Sequence, residues 1–320
     1  MAAVLKKMRK TKADFDVVII GGGPAGMSAA LWCADLGLTA LLLEKSAELG
    51  GQLVVTHNPI TNYLGAETKN GRELRDIFVR HIDGLTAVTT LKGDVAELDA
   101  DNLTVKLSNG TQISGNSIVI ATGVRRRRLD IPGETEFVGR GMLESGAAVQ
   151  NAVDGKKVFI IGGGDAALEN ALILSKKARK VAVIHRGETF RARTEFLYRA
   201  LENPRIEFIK NTVVTEISGR QMVETIKLRS LDTGLITASD ADAILIRIGV
   251  VANTGAFQTA IELDHSGFII TNKTCTTSAA RIFAIGDVAN PSSPTISGAT
   301  GDAATAIKSA YSLLTAKISS

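Results

Sequence analysis

One strand–turn–helix pattern occurs twice in the chain, 141 positions apart. Residues 16–20 (DVVII) are a short apolar run of the kind that forms a buried parallel strand; the glycine-rich residues 21–26 follow at once, and residues 27–36 read as a helix. In the second copy residues 157–161 (KVFII) are the strand and residues 162–167 the turn. At about 150 residues per domain, a chain of 320 has room for two domains.

The spacing of the small residues carries chemistry. Gly21, Gly23 and Gly26 fit G-x-G-x-x-G: the first permits a tight turn, the second lets a pyrophosphate approach the backbone, and the third lets helix and strand pack closely. Phosphates then face the unpaired amides of the helix start. A glycine-rich turn can be merely structural. Here a second strand, residues 39–43, ends at Glu44, 23 positions after Gly21, where a carboxylate can accept hydrogen bonds from ribose hydroxyls. The first copy therefore reads as a dinucleotide site.

The second copy, with Gly162, Gly164 and Ala167, is the G-x-G-x-x-A variant. Its second strand, residues 181–184, ends at His185, again 23 positions after the first glycine. An acid there would repel a ribose 2′-phosphate, whereas Arg186 and Arg191 can pair with one, so NADPH is expected over NADH. An acidic site and a basic site should hold different ligands: FAD at the first, a nicotinamide dinucleotide at the second. Residues 280–287 are a third feature, a strand running into Gly286 and Asp287, followed by an alanine-rich helix over residues 297–314. An aspartate there can bond to ribityl or pyrophosphate-side groups of a flavin.

Composition removes several classes. With 45% apolar and 22% charged residues the chain can bury a core, and no apolar run approaches the roughly 18 residues of a membrane span. The formal charge of +4 is concentrated in the first fourteen residues (Lys6, Lys7, Arg9, Lys10 and Lys12 against Asp14), so it implies no nucleic-acid surface. That segment has no apolar stretch for a secretory signal and reads as a solvated end of a cytoplasmic protein. Cys33 and Cys275 are the only cysteines, which excludes a disulfide framework and leaves no metal motif.

These motifs, with residues 50–53 (GGQL), 62–65 (NYLG), 121–123 (ATG) and 285–287 (IGD), make the chain resemble the low-molecular-weight thioredoxin reductases and related flavin-dependent pyridine nucleotide oxidoreductases. The resemblance runs from about residue 16 to residue 314. It implies an α/β fold of two Rossmann-like, doubly wound domains. The FAD domain is discontinuous, residues 1–125 and 254–320; the NAD(P)H domain is inserted, residues 126–253. It also implies a homodimer and a swivel of the insert about its two linkers. The positions it carries over for FAD are Gly21, Gly23, Gly26, Glu44, Gly51, Gln52, Asn62 and Asp287, with Thr122 and Gly123 beside the cofactor. Those for NAD(P)H are Gly162, Gly164, Ala167, Arg186 and Arg191.

The chain departs from the family where it matters most. Thioredoxin reductases carry Cys-x-x-Cys ahead of the second glycine motif; at the same spacing this chain has Ser145 and Ala148. Neither side chain can cycle through a disulfide. Smaller departures are Gly187 where a second arginine is usual, Leu64 where proline is usual, and residues 292–294 (SSP) in place of Arg-Gln-Ala. No catalytic side chain is identified, because hydride transfer between nicotinamide and flavin depends on placement. The expected function is hydride transfer from NAD(P)H to FAD, then passage to a non-disulfide external acceptor. Two alternatives are a ferredoxin or flavodoxin–NADP reductase, and a non-catalytic flavoprotein with another dinucleotide in the second site. Dithiol-free ferredoxin reductases of this type carry a further segment after the last helix; the end at Ser320 weighs against that reading. Residues 125–128, four arginines, are expected either to steer an acidic carrier protein or to form a solvated hinge turn.

Overall fold

The computed structural model describes residues 13–146 and 148–316; Lys6, Lys7, Arg9, Lys10 and Lys12 of the basic tail lie outside them. The chain is mixed α/β and forms two compact units. One combines the described residues up to Val124 with those from Ala252 onward; the other is Arg125–Val251.

In the discontinuous unit the parallel strands lie in the order Val88–Lys92, Ala40–Glu44, Phe15–Ile20 and Gln112–Ile120. Ile20 is level with Leu43 on one side and Ile120 on the other. Ile282–Ala284 runs parallel to the end of Gln112–Ile120, whose first half instead pairs antiparallel with Thr104–Leu107. Covered on both faces, the central strand has no solvent side, which is why it reads as an unbroken apolar run and not as an alternating one.

Successive side chains of that strand serve two cores. Val17 and Ile19 pack with helices Pro24–Asp35 and Ile296–Thr315, while Val18 and Ile20 pack with Val105, Leu107, Phe257 and Phe268. The two helices meet through small residues, Ala29 and Ala30 on one and Ala303, Ala306 and Ala310 on the other. Small side chains let the helix backbones approach, and this close contact joins the two sequence-distant parts of the unit.

The inserted unit has five parallel strands in the order Met142–Leu143, Ala243–Ile246, Lys157–Ile161, Lys180–Ile184 and Ile206–Ile209. Val158 and Ile160 face helices Asp165–Leu174 and Thr194–Leu201 through Leu168, Ala171 and Ala200. Phe159 and Ile161 face an antiparallel sheet of Thr212–Ser218, Thr225–Ser230 and Ile236–Asp240 through Val214, Ile226 and Leu228. In each unit the strand order reverses at the strand that carries the glycine turn, which opens a crevice at its carboxyl end.

Phe283 is fully buried between the central sheet and the two alanine-lined helices. Phe283→Ala should lower the stability of the discontinuous unit by about 3–5 kcal/mol, read as a lowered urea midpoint for that unit.

Candidate functional site

Two turns organise the site residues. At the first, Gly21 adopts φ +110° and its N–H donates to the Leu43 carbonyl at 2.8 Å. A Cβ on Gly26 would collide with the Gly21 carbonyl, so helix Pro24–Asp35 starts hard against the strand end. Gly23 and Gly51 face each other with bare backbones, and a Cβ on Gly51 would stand 3.0 Å from the Gly23 Cα. Among the described residues no side chain caps the helix, and Pro24 supplies no N–H, so the first-turn amides are left for a ligand. A cradle that any side chain would fill fits a pyrophosphate.

Glu44 is fixed at the strand end beside this turn. Its Oε2 accepts the Gly22 N–H at 2.7 Å and its Oε1 the Ser46 N–H at 2.8 Å. Each oxygen keeps a second acceptor site, which suits a ribose diol. The Gln52 amide donates to the Val124 carbonyl at 2.7 Å and ties the short helical turn Gly51–Val55 to the end of the sheet. Thr122 donates to the Asn253 carbonyl at 2.8 Å, the Asn253 side-chain amide returns a 2.8 Å bond to the Thr122 carbonyl, and its N–H donates to the Gly123 carbonyl at 3.0 Å. Asn253 carries no local sequence signal, because its partners lie far away in the chain.

Asn62 stands exposed on the hairpin of Ile60–Tyr63 and Ala66–Thr68, and its side chain has no hydrogen bond among the described residues. Ile60 and Tyr63 anchor this hairpin against Leu53 and Ile296, while Leu64 at its tip is 97% exposed. Asp287 is half-buried and its carboxyl has no hydrogen-bond donor among the described residues. Burial, and secondarily the Asp302 carboxylate, push its pKa up. A desolvated carboxyl without a donor fits the hydroxyls of a flavin side chain.

At the second turn Gly162 has φ +146° and lies so close to the Arg247 carbonyl that a Cβ would collide with it. Gly164 precedes helix Asp165–Leu174 with open space where a side chain would be, and Ala167 is buried against the sheet. The loop after Lys180–Ile184 folds back onto this turn. The His185 ring packs on Gly163, stacks near Phe190 at 5.0 Å between centroids, and its Nε2 lies 3.0 Å from the Thr189 carbonyl. Burial lowers the His185 pKa against the pull of that carbonyl, and the Arg186 and Arg191 cations lower it further, so the ring is neutral at pH 7.

The Arg191 N–H donates to the Gly163 carbonyl at 2.8 Å. The side chains of Arg186 and Arg191 are exposed and without an ion pair among the described residues, which suits a phosphate. Asp165, an acid inside the phosphate turn, is held on both oxygens by the N–H and Nε of Arg193, at 2.7 and 2.8 Å. The only local sequence signals of this pair are an acid in the turn and an extra arginine just beyond Arg191.

Ser145 is half-buried and Ala148 exposed, between Met142–Leu143 and the short turn Gln150–Val153. The neighbouring Gly146 N–H donates to the buried Asn170 side chain at 2.9 Å. Cys33 and Cys275 are buried in one apolar core. Burial first, then Asp16, pushes the Cys33 thiol up to about 12; burial first, then Asp302, pushes Cys275 up to about 11. Both are therefore protonated and weakly nucleophilic at neutral pH. The described residues contain no group of three or more histidine, cysteine or acidic side chains placed to hold a metal, and no helix long and apolar enough to cross a membrane.

Asp287 gives a signed pH dependence. Its folded pKa is raised, so between the ordinary and the raised value the unfolded chain has released the proton and the folded chain has not. Flavin-free protein should therefore lose stability as pH rises through that window. Asp287→Asn should flatten this part of the profile, measured by thermal unfolding of apoprotein between about pH 4 and pH 7, and should also reduce the flavin retained per chain.

The family model for pyridine nucleotide-disulphide oxidoreductases matches residues 15–310. The thioredoxin reductase of Treponema pallidum (strain Nichols) is 33% identical over 305 residues, covering 95% of this chain and 98% of that protein. The thioredoxin reductase of Peptoclostridium acidaminophilum is 32% identical over 283 residues, covering 86% and 89%. Among solved structures, Lactococcus lactis thioredoxin reductase aligns with a TM-score of 0.82 at 33% identity, over 94% of this chain and 99% of that one. The T. acidophilum thioredoxin reductase aligns with a TM-score of 0.77 at 27% identity, over 94% and 99%. With agreement over nearly the whole length, and a glycine turn at the switch point of each sheet, the chain belongs to the pyridine nucleotide-disulphide oxidoreductases, as a thioredoxin reductase-like flavoprotein that uses FAD and a pyridine nucleotide.

Proposed function

We propose that this protein is an NAD(P)H oxidoreductase whose electrons leave the flavin for an external acceptor that is not a disulfide. What supports the reading is sulfur chemistry: by the resemblance, Ser145 and Ala148 fall where thioredoxin reductases carry the dithiol, and both cysteines are buried and held protonated. FAD held by this chain would supply the two-electron hydride chemistry.

The chain supplies placement. The backbones of Gly21, Gly23, Gly26 and Gly51 would seat the flavin nucleotide's pyrophosphate, Glu44 the ribose, and Asp287 the ribityl hydroxyls, with Gln52, Asn62, Thr122 and Gly123 framing the rest. Residues up to 125 and from 254 onward would thus make the FAD domain, and residues 126–253 the NAD(P)H domain. There, Gly162, Gly164 and Ala167 would hold the second pyrophosphate. Arg186 and Arg191 would pair with a 2′-phosphate, favouring NADPH over NADH. Neutral His185 shapes the turn without opposing them. Arg193 cancels the charge of Asp165, which would otherwise repel the phosphates.

The protein is proposed to act as a cytoplasmic homodimer. In the arginine run, Arg126 donates to the Glu144 carbonyl and Arg128 lies 3.7 Å from both Asp130 and the buried Glu134. This engagement favours a structured hinge turn; Arg127 is exposed and would face an acidic carrier.

Anaerobic mixing with NADPH should bleach the bound flavin faster than NADH does. Turnover should follow with a quinone, free flavin, ferredoxin or flavodoxin, but not with thioredoxin. Thioredoxin turnover with a mixed disulfide at Cys33 or Cys275 would overturn the reading, and absence of bleaching by either nucleotide would make the protein a non-catalytic flavoprotein. A charge-assisted hydrogen bond contributes about 1.5–3 kcal/mol. Arg186→Ala with Arg191→Ala should therefore raise the KM for NADPH by about tenfold or more while leaving that for NADH nearly unchanged.

A further inference from the structure

We propose that Arg126 and Arg247 act as a charge sensor in the inserted unit, holding reduced nicotinamide nucleotide in preference to oxidised nucleotide; this rests on the nucleotide reading above. The sheet order sets the direction of the ligand. A dinucleotide lies across the switch point between Lys157–Ile161 and Ala243–Ile246. Arg186 and Arg191, after Lys180–Ile184, mark the adenosine end, and Gly162 and Gly164 mark the phosphates. The remaining half, which bears the nicotinamide, runs over the end of Ala243–Ile246.

Arg247 is the residue that follows this strand, and its N–H donates to the Ile161 carbonyl at 2.7 Å. Its Nη2 donates to the Glu144 carbonyl at 2.9 Å, and Arg126 donates to that same oxygen. Two guanidiniums thus converge on one neutral acceptor. Among the described residues neither has a carboxylate in ion-pair contact; the Glu144 carboxylate acts on Arg126, and Glu169 on Arg247, from further off. Burial first, then the Arg126 cation, lowers the Arg247 pKa to about 10, which leaves Arg247 charged at neutral pH; a guanidinium such as that of Arg126 keeps its proton in proteins.

Two cations held together, with no carboxylate in contact among the described residues, create a positive field at the nicotinamide end of the crevice. Oxidised nicotinamide carries a ring charge of +1 that the reduced ring lacks, and the rest of the nucleotide is the same. Only a differential interaction can separate two ligands. The field repels the oxidised ring and leaves the reduced ring unopposed, so the charge that appears when hydride departs also promotes release of the spent nucleotide.

The test compares three redox-inert probes on oxidised holoenzyme by calorimetry: NADP+, its 1,4,5,6-tetrahydro derivative with an uncharged ring, and 2′-phospho-ADP-ribose with no ring. Wild type should bind the tetrahydro form about tenfold more tightly than NADP+. Arg247→Gln, and separately the exposed Arg126→Gln, should shrink that ratio severalfold by tightening NADP+, and should leave 2′-phospho-ADP-ribose unchanged. Arg247→Lys, which keeps the charge, should retain the ratio. An unchanged ratio in both glutamine variants overturns the proposal. So does equal weakening of all three probes, which would assign the arginines to the phosphates. If no probe binds wild type, the nucleotide reading falls together with the proposal.

Discussion

Both units depend on a close approach of backbone to backbone. Helix Pro24–Asp35 begins where a single added methyl would strike the Gly21 carbonyl, and the Gly162 turn lies equally hard against the carbonyl of Arg247. Such contacts leave no room for side chains, so the end of the central strand presents amides and open space in place of packed atoms. An uncapped helix start facing that space carries a partial positive charge, and an anion completes it. The open space at each turn thus comes from the same contacts that hold strand to helix.

Charge then distinguishes two sites that the backbone makes alike. Glu44 occupies the end of the second strand in one unit, and neutral His185, followed by Arg186, occupies the matching end in the other. In the inserted unit the acid nearest the phosphate turn, Asp165, is cancelled by Arg193, and two further guanidiniums gather at the Glu144 carbonyl. In the discontinuous unit Asp287 is a carboxyl without a donor among the described residues. A ligand with hydroxyls suits one unit, and a ligand with an extra phosphate suits the other.

The sulfur chemistry of thioredoxin reductases requires two thiols that can reach each other and ionise. Here the two cysteines of the sequence, Cys33 and Cys275, lie in an apolar core that raises their pKa. The segment around Ser145 is instead pinned by Asn170 through Gly146 and by the two arginines through Glu144.

The two glycine turns, the strand ends at Glu44 and His185, the strand before Asp287 and the alanine-rich last helix were legible in the sequence. Each depends on neighbours within a few residues: small residues at fixed offsets permit a turn, and an unbroken apolar run demands a strand covered on both faces. The Asp165–Arg193 clamp spans 28 positions, the Arg247–Glu144 contact 103, and the Thr122–Asn253 pair 131. Those partnerships follow from the order of strands and the register of their ends, which no local pattern encodes. The sequence by itself determined that the glycine turn occurs twice and that no Cys-x-x-Cys is present. The tertiary structure alone decided which charges meet beside those turns, because a side chain's partners are set by where distant strands stop.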